Sequence, residues 1–338
     1  MITLKDISIK VGKSITTVSR ALNGYDDVSQ ETKKMIQGAA EEMGYRPNII
    51  AQRLQKQKTD TIGFIIPTFG PRFSDPFFSE FLAGVGNMAS DLGFDLLVST
   101  QPPGEKEYKA YHKMMGDRRV DGFIIVRTRR NDERINDLLK QDFPFAVFGR
   151  IEDRNDFSYV DEDGVYGMRQ IADHLVSLGH TRIGCIAPDP ELMFAATRLE
   201  GLKSGLAAHD IQLNGSMHKV GDLTQKGGYL QAKAIMSDPN PPTAIVACND
   251  LMALGAISAA QDLGLEVGRD VSITGFDDIP LAEYTHPSLT TVHQPIYQIG
   301  GMVCEMLIKT ILGQELEQKH ILLKPSLIIR ESSGKNNR

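Results

Sequence analysis

Two sets of side chains in this 338-residue sequence have types and spacings that could do chemistry. The first lies near the N-terminus. Ile15, Thr16, Thr17, Ser19 and Arg20 fall on the outward side of a short helical pattern whose inward side is Val18, Ala21 and Leu22. Short hydroxyls reach base edges or phosphates, a helix N-terminus favours phosphate, and arginine can hold guanine through two hydrogen bonds. A small helical domain that binds protein has the same outline. The second set follows apolar, strand-like runs: Thr68 through Phe78, Gly149 and Arg150, Pro188 through Arg198, Asn249 and Asp250, and Asp277 and Asp278. Carboxylates, amides, arginine and aromatic rings together suit a polyhydroxyl ligand. Asp and Asn after a strand also serve as helix N-caps, and Asp250 and Asp278 are read as caps only.

Catalytic and metal-binding patterns are missing from the sequence. The eight histidines include no H-E-x-x-H or other ligand spacing, and there is no phosphate loop and no G-x-S-x-G. Gly84-Val85-Gly86 falls inside a predicted helix, which rules it out as a dinucleotide fingerprint, and His180 after a helix end is read as structural. Three cysteines, Cys185, Cys248 and Cys304, are odd in number and far apart, which fits a reducing cytoplasm rather than a disulfide framework. An enzyme is disfavoured, and no cofactor or metal is expected. No apolar run reaches the ~18 residues of a membrane span, and the N-terminus lacks the pattern of a secretory signal, so no membrane partner is expected.

The elements that position these residues fall into two parts. Thr3 to Asp6 has the form of a capping box before Leu4, Ile7 and Val11, and Gly12 ends that helix. Ser14 caps a second helix to about Leu22. A third runs from Ser29 through Met35, Ile36, Ala39, Ala40 and Met43 to Gly44. The outline is a helix-turn-helix. Pro47 then breaks the chain, and a basic, conditionally helical segment and polar linker lead to Asp60. Residues 1–60 hold ten Lys/Arg against seven Asp/Glu, a net +3, whereas the whole chain is −6. A mildly basic head on an acidic body is the layout of a DNA-binding module on a sensor. From Thr61, apolar strands alternate with helices in two consecutive series, which predicts two doubly wound parallel-sheet α/β lobes with ligand at the strands' C-terminal ends.

Thr17-Val18-Ser19-Arg20-Ala21-Leu22-Asn23, Val28-Ser29 and Gly44-Tyr45-Arg46-Pro47-Asn48 come first in a longer series of motifs. Asp75-Pro76-Phe77-Phe78, Leu178-Gly179-His180, Cys248 to Gly255, Gly275-Phe276-Asp277-Asp278 and Leu289-Thr290-Thr291-Val292 follow in order. Together, over about residues 2–332, they resemble a bacterial transcription regulator of the lactose-repressor (LacI/GalR) family. The resemblance implies a repressor that binds a pseudo-palindromic double-stranded operator as a homodimer and is controlled by a small molecule, most simply a sugar or glycoside. It puts Thr3, Ser14, Ile15, Thr16, Thr17, Ser19, Arg20 and Asn23 at the DNA, with Asn48, Ala51 and Leu54 in a hinge helix whose Leu54 wedges the minor groove. It puts the effector against Phe78, Arg150, Arg198, Asn249, Asp277 and Gln294, between lobes of the type I periplasmic-binding-protein kind.

The implied boundaries are residues 1–46 for the head, 47–60 for the hinge and linker, and 61–332 for the effector-binding body, with 333–338 a flexible tail. Lobe one takes about 61–160 and 290–320, and lobe two takes 161–288 and a C-terminal strand. Two departures stand out. Many relatives have Asp where Gly149 stands, so one hydroxyl contact is expected to be lost or taken over by Arg150, which leaves the ligand's identity open. The chain ends without a heptad helix, so a dimer is expected. A sugar-binding receptor and a sugar-acting α/β enzyme are the alternatives.

Overall fold

The computed structural model describes residues 2–46, 58–68 and 75–336. The hinge candidates Asn48, Ala51 and Leu54 lie outside the described residues. The chain divides into two units, Met1–Thr59 and Asp60–Arg338.

The first unit contains three helices. α1 (Leu4–Val11) starts at the Thr3–Asp6 capping box and stops at Gly12, whose φ of 65° is left-handed. α2 (Ile15–Leu22) is capped by Ser14, whose Oγ accepts from the Thr17 amide at 3.0 Å. α3 (Gln30–Glu42) is capped by Ser29. Ile7, Val18, Ala21, Val28, Ile36 and Ala40 form the core. Met35 on α3 is 43% exposed. Lys33 is buried, its ammonium donating to the Gly24 carbonyl at 3.2 Å while its stem packs inward.

The second unit begins with β1 (Thr61–Pro67), α4 (Pro76–Asp91), β2 (Asp95–Gln101), α5 (Glu105–Gly116), β3 (Gly122–Ile125), α6 (Glu133–Lys140), β4 (Phe145–Phe148) and β5 (Tyr159–Glu162). A second series is α7 (Gly164–Ser177), β6 (Ile183–Ala187), α8 (Met193–Ala207), β7 (His218–Val220), α9 (Gln225–Met236), β8 (Ala244–Ala247), α10 (Asp250–Asp262) and β9 (Ser272–Thr274). The chain then forms α11 (Leu281–Tyr284), β10 (Thr291–His293), α12 (Ile296–Ile311), β11 (His320–Leu323) and β12 (Ser326–Ile328). The first sheet has the order β11-β5-β4-β3-β1-β2 and the second β7-β6-β8-β9, both parallel, while β10 and β12 pair antiparallel. Continuous apolar runs such as Thr61–Pro67, buried throughout, are what a sheet covered on both faces requires.

Three expectations need correction. The crossing near residue 161 falls inside β5, and β11 extends the first sheet to Leu323. The return to the first lobe comes after 290: Leu289 and Val292 belong to the second core, and Ile296, Ile299 and Val303 to the first. The tail is not loose where it is described, because Asn336 N donates to Leu178 O at 2.8 Å and Gly334 O lies 3.0 Å from His180 Nε2. Gly84 does lie within a helix, α4. There a Cβ would meet Tyr297 O at 2.0 Å, so α4 and α12 approach backbone to backbone.

Candidate functional site

On α2, the exposed residues are those the sequence nominated. Ile15 is 47% exposed, Thr16 and Arg20 are also exposed, and Ser19 is half-buried. With Leu4 and Tyr25 they line a shallow groove. Several nominated side chains also serve the helix itself. Thr3 Oγ1 donates to Asp6 Oδ2 at 2.7 Å, the Ser14 and Thr17 hydroxyls lie 2.8 Å apart, and Asn23 Nδ2 reaches Ser19 Oγ at 3.4 Å.

In the second unit, the ends of both parallel sheets face a cleft of about 550 Å³, counted to its open mouth. Phe78, Arg198, Asn249 and Asp277 line it, as nominated, together with Asp75, Phe77 and Phe194 from the nominated loops. One wall is aromatic: the Phe77 and Phe148 rings stack at 5.8 Å with an 18° interplanar angle. The opposite wall is ionic and buried. Arg198 donates from Nη2 to Glu162 Oε1 at 2.8 Å and from Nη1 to Cys248 O at 2.7 Å and Asp277 Oδ1 at 3.2 Å. Its guanidinium lies 3.6 Å above the Phe276 ring, and its Nε has no acceptor among the described residues. At the other side, Arg127 pairs with Asp75 at 3.0 Å and lies over the Phe78 ring.

Burial dominates the titration of this wall. It lowers Arg198, but the Asp277 and Glu162 charges outweigh it and keep the guanidinium charged. Asp277 is pushed well above the usual carboxylate range by burial and by the neighbouring acids, against the pull of Arg198. One guanidinium shared by two buried carboxylates leaves the pair under-neutralised. Asp161 is raised by burial and by Glu162 beside it, against Arg150, and burial raises Asp75.

Four nominations are corrected. Arg150 is not part of the cleft wall; its Nε lies 3.4 Å from Asp161 Oδ2, and it is Asp161 that faces the space. Gln294 sits behind the wall, donating to Asp277 Oδ1 at 2.7 Å. Asp250 is not a cap: Asn249 caps α10, its Oδ1 accepting from Met252 N, while Asp250 accepts from Thr291 Oγ1 and from Ile279 N at 2.9 Å. Asp278 bridges Arg330 at 2.8 Å and His293 at 3.0 Å. His180 is buried between Thr243, Ser272 and Gly334, a structural histidine. Gly149 has a φ of 110°, and a Cβ there would meet Thr128 Oγ1 at 2.9 Å. The turn therefore selects glycine, and an acid at this position needs a different backbone.

Sequence reasoning missed Arg127, Thr128, Asp161, Glu162 and Leu223, all in the wall. The rule that sites follow strands reaches Arg127 and Thr128 once β3 is extended past its end. It also missed a clasp between the lobes. Met193 N donates to Thr128 O at 2.9 Å, Arg130 N donates to Glu191 O at 3.0 Å, and Met193 is buried in the first lobe's core.

Comparison with known proteins bears on what these two sites serve. Residues 3–48 match the model of bacterial regulatory proteins, lacI family, and residues 172–333 match that of a periplasmic binding protein-like domain. The chain is 35% identical to the transcriptional regulator AglR of Rhizobium meliloti, over 98% of this chain and 94% of the relative. The chain belongs to the lacI family. It is a DNA-binding transcriptional regulator with an effector-binding body, and not an enzyme. Other lacI-family relatives include the repressor CytR of Escherichia coli, 31% identical over 98% of this chain and 96% of that one. The Lac repressor dimer bound to operator and the anti-inducer ONPF superposes with a TM-score of 0.83 at 28% identity, covering 98% of both chains. The complex of CelR with cellobiose superposes with a TM-score of 0.76 at 29% identity, covering 98% of this chain and 100% of that one. Among the described residues no helix is long and apolar enough to cross a membrane.

Proposed function

We propose that this regulator is a homodimeric repressor of a pseudo-palindromic operator, and that its effector is an uncharged sugar or glycoside held in the cleft. The observation that carries the ligand class is the make-up of the walls. Asp75, Asp161, Glu162 and Asp277 line the cleft with Arg127 and Arg198, and both guanidiniums are already engaged by protein carboxylates. Such a wall offers hydrogen-bond acceptors and donors to hydroxyls, and its cations are committed to carboxylates rather than open to a phosphate. The stacked Phe77 and Phe148 rings offer the flat apolar surface on which a sugar face packs. Arg198 Nε has no acceptor among the described residues, and a ligand hydroxyl would fill that need.

Ile15, Thr16 and Arg20 are the base readers in this proposal, with Thr3, Ser14, Thr17, Ser19 and Asn23 contacting phosphate or shaping the helix that does. Asn48, Ala51 and Leu54 keep their role as hinge and wedge from the family resemblance. The relative solved as a dimer on operator and the one solved with cellobiose support the dimer and the sugar.

Calorimetry with matched pairs of free sugars and sugar phosphates tests the ligand class. The expected result is binding of at least one uncharged mono- or disaccharide, no binding of its phosphate, and loss of binding in Asp277→Asn. Tighter binding of the phosphate overturns it.

A further inference from the structure

Arg20 is not loose on the surface of the helical unit. Its Nε donates to Asp27 Oδ1 at 3.0 Å, its Nη2 lies 2.6 Å from Asp27 Oδ2, and its guanidinium carbon stands 5.1 Å from the Tyr25 ring centroid. Both charged side chains are about half exposed. A pair so exposed adds little to stability, so its consequence is geometric. The side-on contact uses the Nε hydrogen and one Nη2 hydrogen. The end-on fork, formed by Nη1 and the other Nη2 hydrogen, points away from the carboxylate. That fork has the spacing that holds guanine O6 and N7.

Asp27 also has a cost. It puts a negative charge beside a DNA-binding residue, where it opposes phosphates of every sequence alike. Alignment of the fork, by contrast, helps only where guanine is present.

We propose that Asp27 is a specificity-determining positioning residue, which holds the Arg20 fork for guanine at the expense of affinity for DNA in general. The inference rests on the reading of Arg20 as a base contact, and the experiment separates the two.

Full-length protein selects its half-site from randomised duplexes. Dissociation constants are then measured for the selected duplex, for duplexes with single substitutions at each position, and for unrelated DNA. Wild type, Arg20→Ala, Asp27→Asn and Asp27→Ala are compared. The expected result is that wild type selects guanine at one half-site position and Arg20→Ala loses that preference. Both Asp27 variants are expected to lose about tenfold of the guanine-over-adenine preference there, to keep discrimination elsewhere, and to bind unrelated DNA more tightly. Full guanine preference in the Asp27 variants, with loss in Arg20→Ala, overturns the role of Asp27 and leaves Arg20 standing as a reader. No guanine preference in wild type overturns both. Loss of discrimination at every position in both Asp27 variants assigns Asp27 to the fold and also overturns the inference.

Discussion

Arg198 shows how one residue couples the fold to the site. It is buried, holds Glu162 from β5 and Asp277 beyond β9, and so ties the two sheets together across the cleft. Removing it leaves two buried carboxylates without a cation. Arg198→Met is expected to cost about 3–5 kcal/mol of stability and to abolish effector binding; urea unfolding and calorimetry check the two. A cost under about 1 kcal/mol would show the wall to be wetter than the structure implies.

Asp250 is an internal carboxylate of another kind, pushed up to about 6 by burial, from an ordinary value of 3.8. Its folded form therefore holds a proton that the unfolded chain has released, so this group's contribution to stability falls as pH rises from about 4 to about 6. Asp250→Asn removes the titration. The stability of wild type minus that of the variant is expected to decline over that window, and a flat difference would contradict the assignment. At Gly149, φ of 110° disfavours any side chain, the acid that the family resemblance implies here included. Gly149→Asp is expected to lower stability by ~1–3 kcal/mol, readable as a shift in thermal midpoint.

At the scale of elements, legibility followed local chemistry. α1, α2 and α3 could be bounded to within a residue or so because Thr3, Ser14 and Ser29 cap them and Gly12 and Gly44 take left-handed turns. α8 begins at Met193, within the stretch Pro188 through Arg198, and no capping side chain announces it, because its N-cap is Leu192, which offers no side-chain acceptor. β5 escaped notice because half of it is Asp161 and Glu162, buried acids that no hydrophobic pattern announces. The site was legible in proportion: residues just after apolar strands were found, whereas Glu162 and the Arg127–Asp75 pair depend on tertiary neutralisation that spacing does not encode.

The start of α8 at Met193 matters because it places that residue in the clasp. Met193→Ala removes a plug from the first lobe's core and is expected to cost about 2–5 kcal/mol. Amide exchange at Met193 and Arg130 should rise with it, since those two amides make the inter-lobe bonds. Unchanged exchange at both would show that the side chain does not hold the clasp. Gly84→Ala tests a different contact: Tyr297 O would sit 2.0 Å from the new Cβ, so α4 and α12 must separate, at a cost of ~1–3 kcal/mol or more.

In the whole molecule a reading head is joined to a sensing body. The charge asymmetry of the sequence, +3 over residues 1–60 in a chain of −6, fits that division. Ligand in the cleft bears on Arg198, Asp277 and the clasp at once, so its binding energy can shift the lobes and, through them, the DNA-binding units of the proposed dimer. Linkage makes the effect reciprocal, and couplings of this kind are about 1–3 kcal/mol, which is roughly 5- to 150-fold in affinity. Control of a repressor by its effector rests on that coupling. Its most direct test is fluorescence anisotropy of full-length protein on its selected operator, with and without a sugar that calorimetry has shown to bind. The account predicts that the saturating sugar changes operator affinity by at least about fivefold, with little change on unrelated DNA. Operator affinity unmoved by a sugar that fills the cleft would contradict it.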